Sequence, residues 1–445
     1  MATKKLKILV AAAEVAPIAK VGGLGDVIGA LPKALIKLNL DARVIMPFYG
    51  VIDKKKYKIK PIKRGIKIND ETFSLWRTDL PNSAVPVYLI EHANFADKKI
   101  YGGAADGLNG INKFIFFSRA ILESAKAINF MPDVIHLNDW HTAPAASLLK
   151  AELFFNKTKI LFTIHNLANQ GITPTGNLMA EGILNAGLIN TVSPTYAREI
   201  LTKQYGAGLE KILAKRKKSL HGVLNGIDTD FFNPRTDKLI ARNYSAADPE
   251  KKAANKLSLQ KQLNLPSDKN TPLVGLVTRF VWQKGVDLIT EKFSRLNCQF
   301  AFLGTGEKKY EQALAALAKK YPRQFSAQIK FDEKLAHRIY AASDIFLVPS
   351  RFEPCGLTQL IAMRYGAVPL ARATGGLADT ISAQVGFTFK KFGAEELYKT
   401  LNRALKVYGQ KPPAWRQLQL NGMRQDFSWN KSAEEYLKLY KQLLQ

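Results

Sequence analysis

Short apolar segments alternate with longer amphipathic stretches along this 445-residue chain. Runs of roughly four to eight apolar residues bounded by loop residues are typical of buried parallel strands, and the stretches between them have helical periodicity. This alternation predicts an α/β fold of parallel sheets covered by helices. The predicted strands are 7–13, 41–47, 85–91, 133–138, 159–165 and 188–193 in the first half, and 273–279, 298–304, 328–331, 344–350 and 368–372 in the second.

One stretch, residues 225–250, interrupts the alternation. It is rich in Asn, Asp and Pro and has no sustained period, which indicates a domain boundary. Two doubly wound Rossmann-like domains are therefore predicted, with a ligand cleft between the carboxyl ends of their strands. The predicted parts are an N-terminal domain (1–240), a C-terminal domain (241–425) and a C-terminal helix (426–445) that packs back on the N-terminal domain.

Composition and charge narrow the class of protein. Hydrophobic residues make up 47% and charged residues 23%, which excludes a disordered chain. The net charge of +28 is compatible with an anionic partner. However, the cations are scattered, and the two local concentrations, 54–64 and 211–218, lack the interleaved aromatic side chains of a single-strand binder. We therefore expect a solvated basic surface and no nucleic-acid partner.

Cysteine content and apolar run lengths bear on the compartment. The two cysteines, Cys298 and Cys355, form no disulfide framework, which is typical of a reducing compartment. The apolar run from Ile8 to Ala13 is too short for a signal peptide and predicts a first buried strand. No segment approaches the roughly 20 apolar residues of a membrane span. These features predict a soluble, cytoplasmic protein.

A glycine-rich turn follows the first predicted strand, in the stretch AKVGGLGDVIGALPKAL (19–35). Gly22, Gly23 and Gly25 permit close approach of a ligand to the backbone, and amides before a helix attract anions. Lys20 adds a mobile positive charge. The spacing matches neither the dinucleotide fingerprint nor the Walker loop, so the turn is either an anion site or a packing device.

Two stretches of the second half present charged residues after predicted strands. Arg279 and Lys284 in VTRFVWQKGVDL could straddle a diphosphate or belong to a solvated basic loop. Glu353 in PSRFEPCGLTQL could cap the following helix or bind sugar hydroxyls. The amides of Gly356, Leu357 and Thr358 are predicted to form an oxyanion-binding helix start. The stretch ATGGLADT (373–380) supplies a second close-approach loop.

Histidines lie near two predicted strand ends in the first half. His136, Asp139 and His141 in HLNDWHTAP suggest a metal site, but their spacing matches no standard zinc pattern. We therefore predict no metal there and interpret these residues as polar lining of the cleft. His165 in TIHNLANQG ends a strand just before an irregular loop, which suits either a site residue or a structural side chain.

Taken together and in this order, these stretches resemble the bacterial glycogen synthase and plant starch synthase family, which has the two-Rossmann-domain GT-B architecture. The resemblance covers nearly the whole chain and includes NTVSPTYAREI and LNGIDTDFFNP. It implies retaining transfer of glucose from ADP-glucose to the nonreducing 4-hydroxyl of an α-1,4-glucan. It also implies ADP-glucose and this glucan as partners, and no metal or other cofactor.

The resemblance assigns roles to individual residues. Lys20, Arg279 and Lys284 would hold the donor diphosphate, Glu353 the donor sugar and His165 the transferred glucose, and these five are the expected catalytic residues. Asp139 would lie on the acceptor side. The expected donor-binding residues, among which Phe331 would stack on adenine, are Gly22, Gly23, Asp26, Asn225, Phe331, Cys355, Gly356, Leu357, Thr358, Gly375 and Gly376.

Some positions depart from the family pattern. Val21 replaces a usual Thr, Phe331 replaces a usual Tyr, and Ile361 lies where the family has Tyr and related transferases have a second Glu. The segment 100–114 matches weakly, with Lys113 for Arg. Two alternatives stay open: another retaining transferase of the same architecture, which makes sucrose, a glycolipid or a cell-wall glycoside, and a non-enzymatic glucan-binding relic. UDP-glucose in place of ADP-glucose also stays open.

Overall fold

The computed structural model describes residues 5–101 and 107–445, so part of the weakly matching segment 100–114 lies outside the described residues. The chain divides into two compact units. The first comprises Met1–Gly226 and Ser428–Gln445, and the second comprises Ile227–Phe427. Within the described ranges, no helix is both long and apolar enough to cross a lipid bilayer.

The first unit is built on a nine-stranded sheet with the order β11-β10-β7-β6-β1-β2-β5-β4-β3. Neighbouring strands pair parallel except at one end of the sheet, where β4 pairs antiparallel with both β5 and β3. Two further strands, β8 and β9, form a separate hairpin. The strands are β1 (Lys7–Ala11), β2 (Asp41–Pro47), β3 (Lys60–Ile68), β4 (Glu71–Asp79), β5 (Pro86–Glu91), β6 (Val134–Asn138), β7 (Lys159–Ile164), β8 (Ile172–Thr173), β9 (Gly176–Asn177), β10 (Leu188–Thr191) and β11 (Leu220–Gly222).

Helices cover this sheet. In the first of them, an acidic residue in the first turn, Asp26, and a basic residue in the last, Lys37, suit the helix dipole. The apolar side chains Leu24, Val27 and Leu31 of the same helix are buried in the core. The helices of this unit are α1 (Gly23–Lys37), α2 (Gly107–Ala127), α3 (Pro144–Lys150), α4 (Leu178–Asn185), α5 (Pro194–Glu199), α6 (Glu210–Lys215) and α14 (Trp429–Leu444).

The C-terminal helix α14 belongs to this first unit and contacts α1 and β7. Tyr436 and Tyr440 on its buried face are fully enclosed. The Tyr440 hydroxyl lies 2.9 Å from His136 Nδ1, and Asn190 Nδ2 donates to the Tyr436 hydroxyl at 3.1 Å. The first bond gives the buried Nδ1 of His136 a partner, and the second adds to the bond that Asn190 Nδ2 donates to Thr163 Oγ1 at 3.4 Å.

The antiparallel hairpin of β3 and β4 was not predicted from the sequence. Only Ile66 and Ile68 of β3 are buried, because this strand forms the edge of the sheet and faces solvent along most of its length. The exposed cations Lys60, Lys63 and Arg64 interrupt the alternation of apolar and polar residues by which a strand is recognised in the sequence. Charged side chains on an edge strand also oppose pairing with another chain.

The second unit contains a six-stranded, fully parallel sheet with the order β14-β13-β12-β15-β16-β17. Its strands are β12 (Leu273–Val277), β13 (Gln299–Gly304), β14 (Phe325–Ile329), β15 (Ile345–Val348), β16 (Val368–Arg372) and β17 (Phe387–Phe389). Its helices are α7 (Lys252–Gln262), α8 (Lys308–Lys320), α9 (Glu333–Ala342), α10 (Thr358–Arg364), α11 (Gly375–Thr380), α12 (Ala394–Gln410) and α13 (Pro412–Arg424). Both units therefore confirm the predicted pair of Rossmann-like α/β folds.

The irregular stretch that was predicted to hold the boundary lies almost entirely in the second unit, so the division falls upstream of residue 240. Tyr244 is buried in that unit and its hydroxyl donates to the Tyr365 carbonyl at 2.8 Å. Asp237 accepts from the Tyr365 hydroxyl at 2.6 Å and lies 2.7 Å from His337 Nδ1. Side-chain contacts hold this stretch in place, and it forms no long regular element. Its sequence therefore has no helical or strand periodicity.

Each sheet has one point where the chain reverses its direction of travel across the strands. In the first unit β1 lies between β2 and β6, and in the second β12 lies between β13 and β15. In doubly wound folds, ligands bind outside the carboxyl ends of the strands at such points. A ligand site is therefore expected at the loops after β1, β6, β12 and β15.

Candidate functional site

The glycine-rich turn after β1 is organised by Glu14, a carboxylate that is only 2% exposed. Its Oε2 accepts hydrogen bonds from the backbone amides of Val21 at 2.6 Å and Gly22 at 2.7 Å, and its Oε1 accepts from the Tyr101 hydroxyl. The Lys20 ammonium is exposed and pairs with Asp26 at 2.6 Å. Two amides that were expected to attract an anionic ligand are thus already bound to a side chain.

The glycines of this turn have different roles. A Cβ on Gly23 would enter open space, and one on Gly22 would meet Glu14 only at an ordinary 3.7 Å. A Cβ on Gly25 would lie 2.9 Å from Lys20 Cγ and 3.2 Å from Glu14 Oε2. Gly25 therefore makes room for the lysine stem, whereas a Cβ on Gly22 or Gly23 would make no close contact, and their role as donor-binding residues stays a prediction.

Asp139 and His165 are brought together where β6 and β7 end. Asp139 Oδ1 accepts from the His165 amide at 2.7 Å, and Asp139 adopts a positive φ of 57°, which Asp tolerates. Burial raises the pKa of Asp139 to about 7, with Glu14 contributing, although the amides of His165 and Asn166 oppose the shift. Asp139 thus fixes the backbone of His165, a role beyond the expected acceptor-side contact.

The His165 ring has a defined tautomer. Asn138 Nδ2 donates to the carbonyls of Ala11 and His136, so its Oδ1 faces His165 Nε2, at 2.9 Å. Nε2 must therefore carry the proton. Burial lowers the pKa of His165 to about 3, so the ring is neutral at pH 7 and Nδ1 is a hydrogen-bond acceptor.

The other two histidines of this region belong to the core rather than to a cleft lining. His136 is fully buried, with its ring nitrogens 2.9 Å from the Tyr440 hydroxyl and 2.7 Å from Thr163 Oγ1. His141 is also buried, and its ring packs on Trp140 with centroids 4.0 Å apart. Throughout residues 5–101 and 107–445, no group of three His, Cys, Asp or Glu side chains is arranged to hold a metal ion.

In the second unit, the loops after β12 and β15 meet at a buried ion pair. Lys284 Nζ lies 2.6 Å from Glu353 Oε2, which also accepts from Ser350 Oγ at 2.8 Å. Glu353 is 6% exposed. Helix α10 begins only at Thr358 and has no side-chain cap, so the capping alternative for Glu353 is wrong. Arg279 follows β12, precedes Lys284 in the same loop and is exposed.

The backbone around the pair is closely packed. Gly356 has a φ of +74°, and a Cβ there would lie 2.5 Å from Gln359 Oε1. Cβ atoms on Gly375 and Gly376 would lie 2.0 and 2.2 Å from the carbonyl oxygens of Glu353 and Cys355. Both glycines thus allow contact between two protein loops, and helix α10 is too short to support the predicted oxyanion site at Gly356, Leu357 and Thr358 by itself.

Two predicted donor-binding residues have unusual surroundings. Phe331 follows β14 and is 92% exposed, although exposure of a large apolar side chain is unfavourable. Asn225, in the first unit, is 7% exposed, yet its Oδ1 has no hydrogen-bond partner among the described residues. A buried oxygen without a hydrogen bond is costly.

Sequence reasoning missed the groups that hold these side chains in place. Glu14 directly follows the apolar run from Ile8 to Ala13 and received no role, although a lone carboxylate between a buried strand and a glycine turn is itself a signal. Ser350 lies in PSRFEPCGLTQL and Asn138 in HLNDWHTAP. Only the folded chain reveals that they orient Glu353 and His165.

Comparison with known proteins gives matches over both units. Residues 7–215 match the family model described as the starch synthase catalytic domain, and residues 258–417 match glycosyl transferases group 1. Glycogen synthases of Thermosipho africanus and Geotalea daltonii are 41% and 43% identical to this chain, and each comparison covers 99% of both chains. The solved catalytic domain of starch synthase IV from Arabidopsis thaliana, bound to ADP and acarbose, is 34% identical with a TM-score of 0.91, covering 99% of this chain and 100% of that one.

Proposed function

The chain belongs to the family of bacterial glycogen synthases and plant starch synthases, and from this premise we propose that it transfers glucose from ADP-glucose to the nonreducing 4-hydroxyl of an α-1,4-glucan. The transfer retains the configuration of the anomeric carbon. Its partners are ADP-glucose and the glucan, and it acts in the cytoplasm. The solved starch synthase IV, which binds ADP and acarbose, supports this choice of donor and acceptor.

The observation that carries the proposal is the order of side chains along the carboxyl edge of the second sheet. Phe331 follows β14, Arg279 and Lys284 follow β12, and Glu353 follows β15. Since β13 separates β14 from β12, a strand spacing of about 4.8 Å puts these two strands about 10 Å apart. Adenine on Phe331 would leave the diphosphate near the cations and the sugar near Glu353.

The proposed chemistry is electrostatic. As the bond between the anomeric carbon and the phosphate breaks, negative charge grows on the leaving ADP. Arg279, Lys284 and Lys20 are the cations to which the family resemblance assigns the stabilisation of this charge, in place of a metal ion. Glu353 accepts a hydrogen bond from a sugar hydroxyl, and the neutral His165 ring accepts another at Nδ1. Asp139 binds the Asn166 amide, which belongs to the same peptide group as the His165 carbonyl. This carbonyl, so held, stabilises positive charge on the anomeric carbon.

The direct test is incorporation of radiolabelled glucose into glycogen from ADP-glucose and from UDP-glucose, measured side by side with EDTA present. We expect incorporation from ADP-glucose and much less from UDP-glucose, because a purine covers more of the Phe331 ring than a pyrimidine does. Equal use of both donors would contradict the donor assignment. Incorporation from neither donor would contradict the proposed function, and loss only with EDTA would contradict the metal-free chemistry.

Phe331 gives a separate prediction about donor binding. Replacing Phe331 with alanine is expected to raise the KM for ADP-glucose about tenfold and to change kcat little, since stacking on one base contributes about 1–3 kcal/mol. Phe331→Tyr should retain the wild-type KM. Leu153→Ala is a suitable control, because Leu153 is 88% exposed in the first unit. An unchanged KM in Phe331→Ala would rule out base stacking at this ring.

A further inference from the structure

Glu14 is a buried carboxylate to which the proposed chemistry gives no task. Its three hydrogen-bond donors are the amides of Val21 and Gly22 and the Tyr101 hydroxyl. All three donors are neutral, and within the described part of the chain no lysine, arginine or histidine forms an ion pair with Glu14. Burying a carboxylate without a cation is unfavourable, which points to a task that an apolar side chain would not fulfil.

The hydrogen bonds of Glu14 fall on the peptide that directly follows Lys20. Glu14 Oε2 binds the amide of the Lys20–Val21 peptide at 2.6 Å and the next amide at 2.7 Å, which fixes the direction in which the backbone leaves Lys20. The lysine stem lies over Gly25, where a Cβ would approach Lys20 Cγ to 2.9 Å. The ammonium then meets Asp26 at 2.6 Å. Backbone, stem and head group of Lys20 are thus each held by a different partner.

We infer that Glu14 is the positioning residue for Lys20: by holding two amides of the glycine turn, it sets the direction in which the Lys20 ammonium points. This inference rests on the proposed function for the role of Lys20 itself. Glu14 touches no reacting atom in this scheme and acts only through the lysine. Misplacing a reactive group by about 1 Å can cost about 10²-fold in rate, so the effect of losing Glu14 should be measurable.

The test uses the full-length protein and a set of matched variants. Glu14→Ala removes all three hydrogen bonds, and Glu14→Asp keeps the charge but withdraws it from the amides. Glu14→Gln keeps an acceptor oxygen for both amides. Tyr101→Phe removes only the bond to Oε1. Lys292→Ala, which breaks an exposed pair with Glu395, is the control for loss of a charge elsewhere.

Glu14→Ala is expected to lower kcat/KM for ADP-glucose by about 10–100-fold. Glu14→Asp should also lower kcat/KM, and Glu14→Gln should lower it by less than about fivefold. In the Lys20→Ala background, adding Glu14→Ala should change kcat/KM by less than about twofold, since residues that act as a unit are not additive. If the two losses multiply instead, Glu14 stabilises the fold in general and the inference is wrong. A Glu14→Gln variant as impaired as Glu14→Ala would also overturn it.

Hydrogen exchange of the peptide containing Val21 and Gly22 tests the same contact without any turnover. Exchange should be faster in Glu14→Ala and Glu14→Asp and near wild type in Glu14→Gln and Tyr101→Phe. Unchanged exchange in Glu14→Asp, the variant with the smallest change in volume, would overturn the inference even if Glu14→Ala does not fold. This readout needs no substrate, so its result is separate from the test of the proposed function. A wild-type protein that transfers no glucose would contradict the proposed function, whereas hydrogen exchange would still decide whether Glu14 holds the two amides.

Discussion

Replacing Lys284 with alanine is expected to lower kcat by about 10²–10³-fold, the usual loss when one preorganised charge-stabilising group is removed. Lys284 is held at 2.6 Å from Glu353 and its side chain is only 19% exposed, so its ammonium is fixed before the donor arrives. A fixed cation needs no reorganisation when charge develops on the leaving phosphate. Loss of it should therefore appear in kcat rather than mainly in KM.

Steady-state kinetics of Lys284→Ala with ADP-glucose and glycogen would measure this effect. Lys292→Ala is the matched control, because Lys292 also pairs with a glutamate in the second unit but on an exposed surface. We expect the control to keep wild-type kinetics, as exposed pairs contribute little. A Lys284→Ala enzyme with near wild-type kcat would show that Lys284 does not stabilise the leaving group.

Replacing Glu353 with alanine is expected to lower kcat to a similar extent, about 10²–10³-fold, for two reasons. The carboxylate is assigned to a donor hydroxyl, and it also orients Lys284 while accepting from Ser350 at 2.8 Å. Glu353→Gln keeps an acceptor for Ser350 but loses the negative charge beside the lysine. It should therefore retain more activity than Glu353→Ala.

The double variant Glu353→Ala/Lys284→Ala separates the two reasons. Since the side chains are in contact, the combined loss in kcat should be smaller than the product of the single losses. Thermal unfolding of each variant would show whether the fold is kept. This control is needed because removing Lys284 or Glu353 leaves its partner without a counter-charge in a largely buried place. Strictly multiplicative losses would mean that Glu353 does not act through Lys284, and wild-type kcat in Glu353→Ala would remove its assigned role.

Much of the architecture could be predicted because apolar runs in a parallel sheet are buried on both faces. β2 was predicted over 41–47 and β16 over 368–372, and both are observed with those bounds. The resemblance to the synthase family is likewise confirmed. The basic edge strand β3 escaped prediction because burial affects only its last residues. β14 was placed too late, since Gln328 and Ile329 end the strand rather than begin it.

The candidate site was predictable in its residue types and unpredictable in its contacts. Glycines, lysines and a glutamate after strands predicted a ligand site, because strand ends share one edge of a sheet, and this site stays a prediction. Which glycines make room for other parts of the protein is decided by the folded chain: Gly25 faces Lys20 and Glu14, and Gly375 faces Glu353. Likewise, nothing local in HLNDWHTAP indicates that His136 bonds a tyrosine of the last helix.

The return of α14 to the first unit affects the order in which the protein can fold during synthesis. All of Ile227–Phe427 leaves the ribosome before Trp429, so the second unit has its whole sequence available while the first still lacks a helix. Until then the ring of His136 and the amide of Asn190 are without the two tyrosines that bind them. The half of the protein that is translated first is therefore the half that is completed last, and a nascent chain stalled in α14 would carry the whole sequence of the second unit and an incomplete first unit.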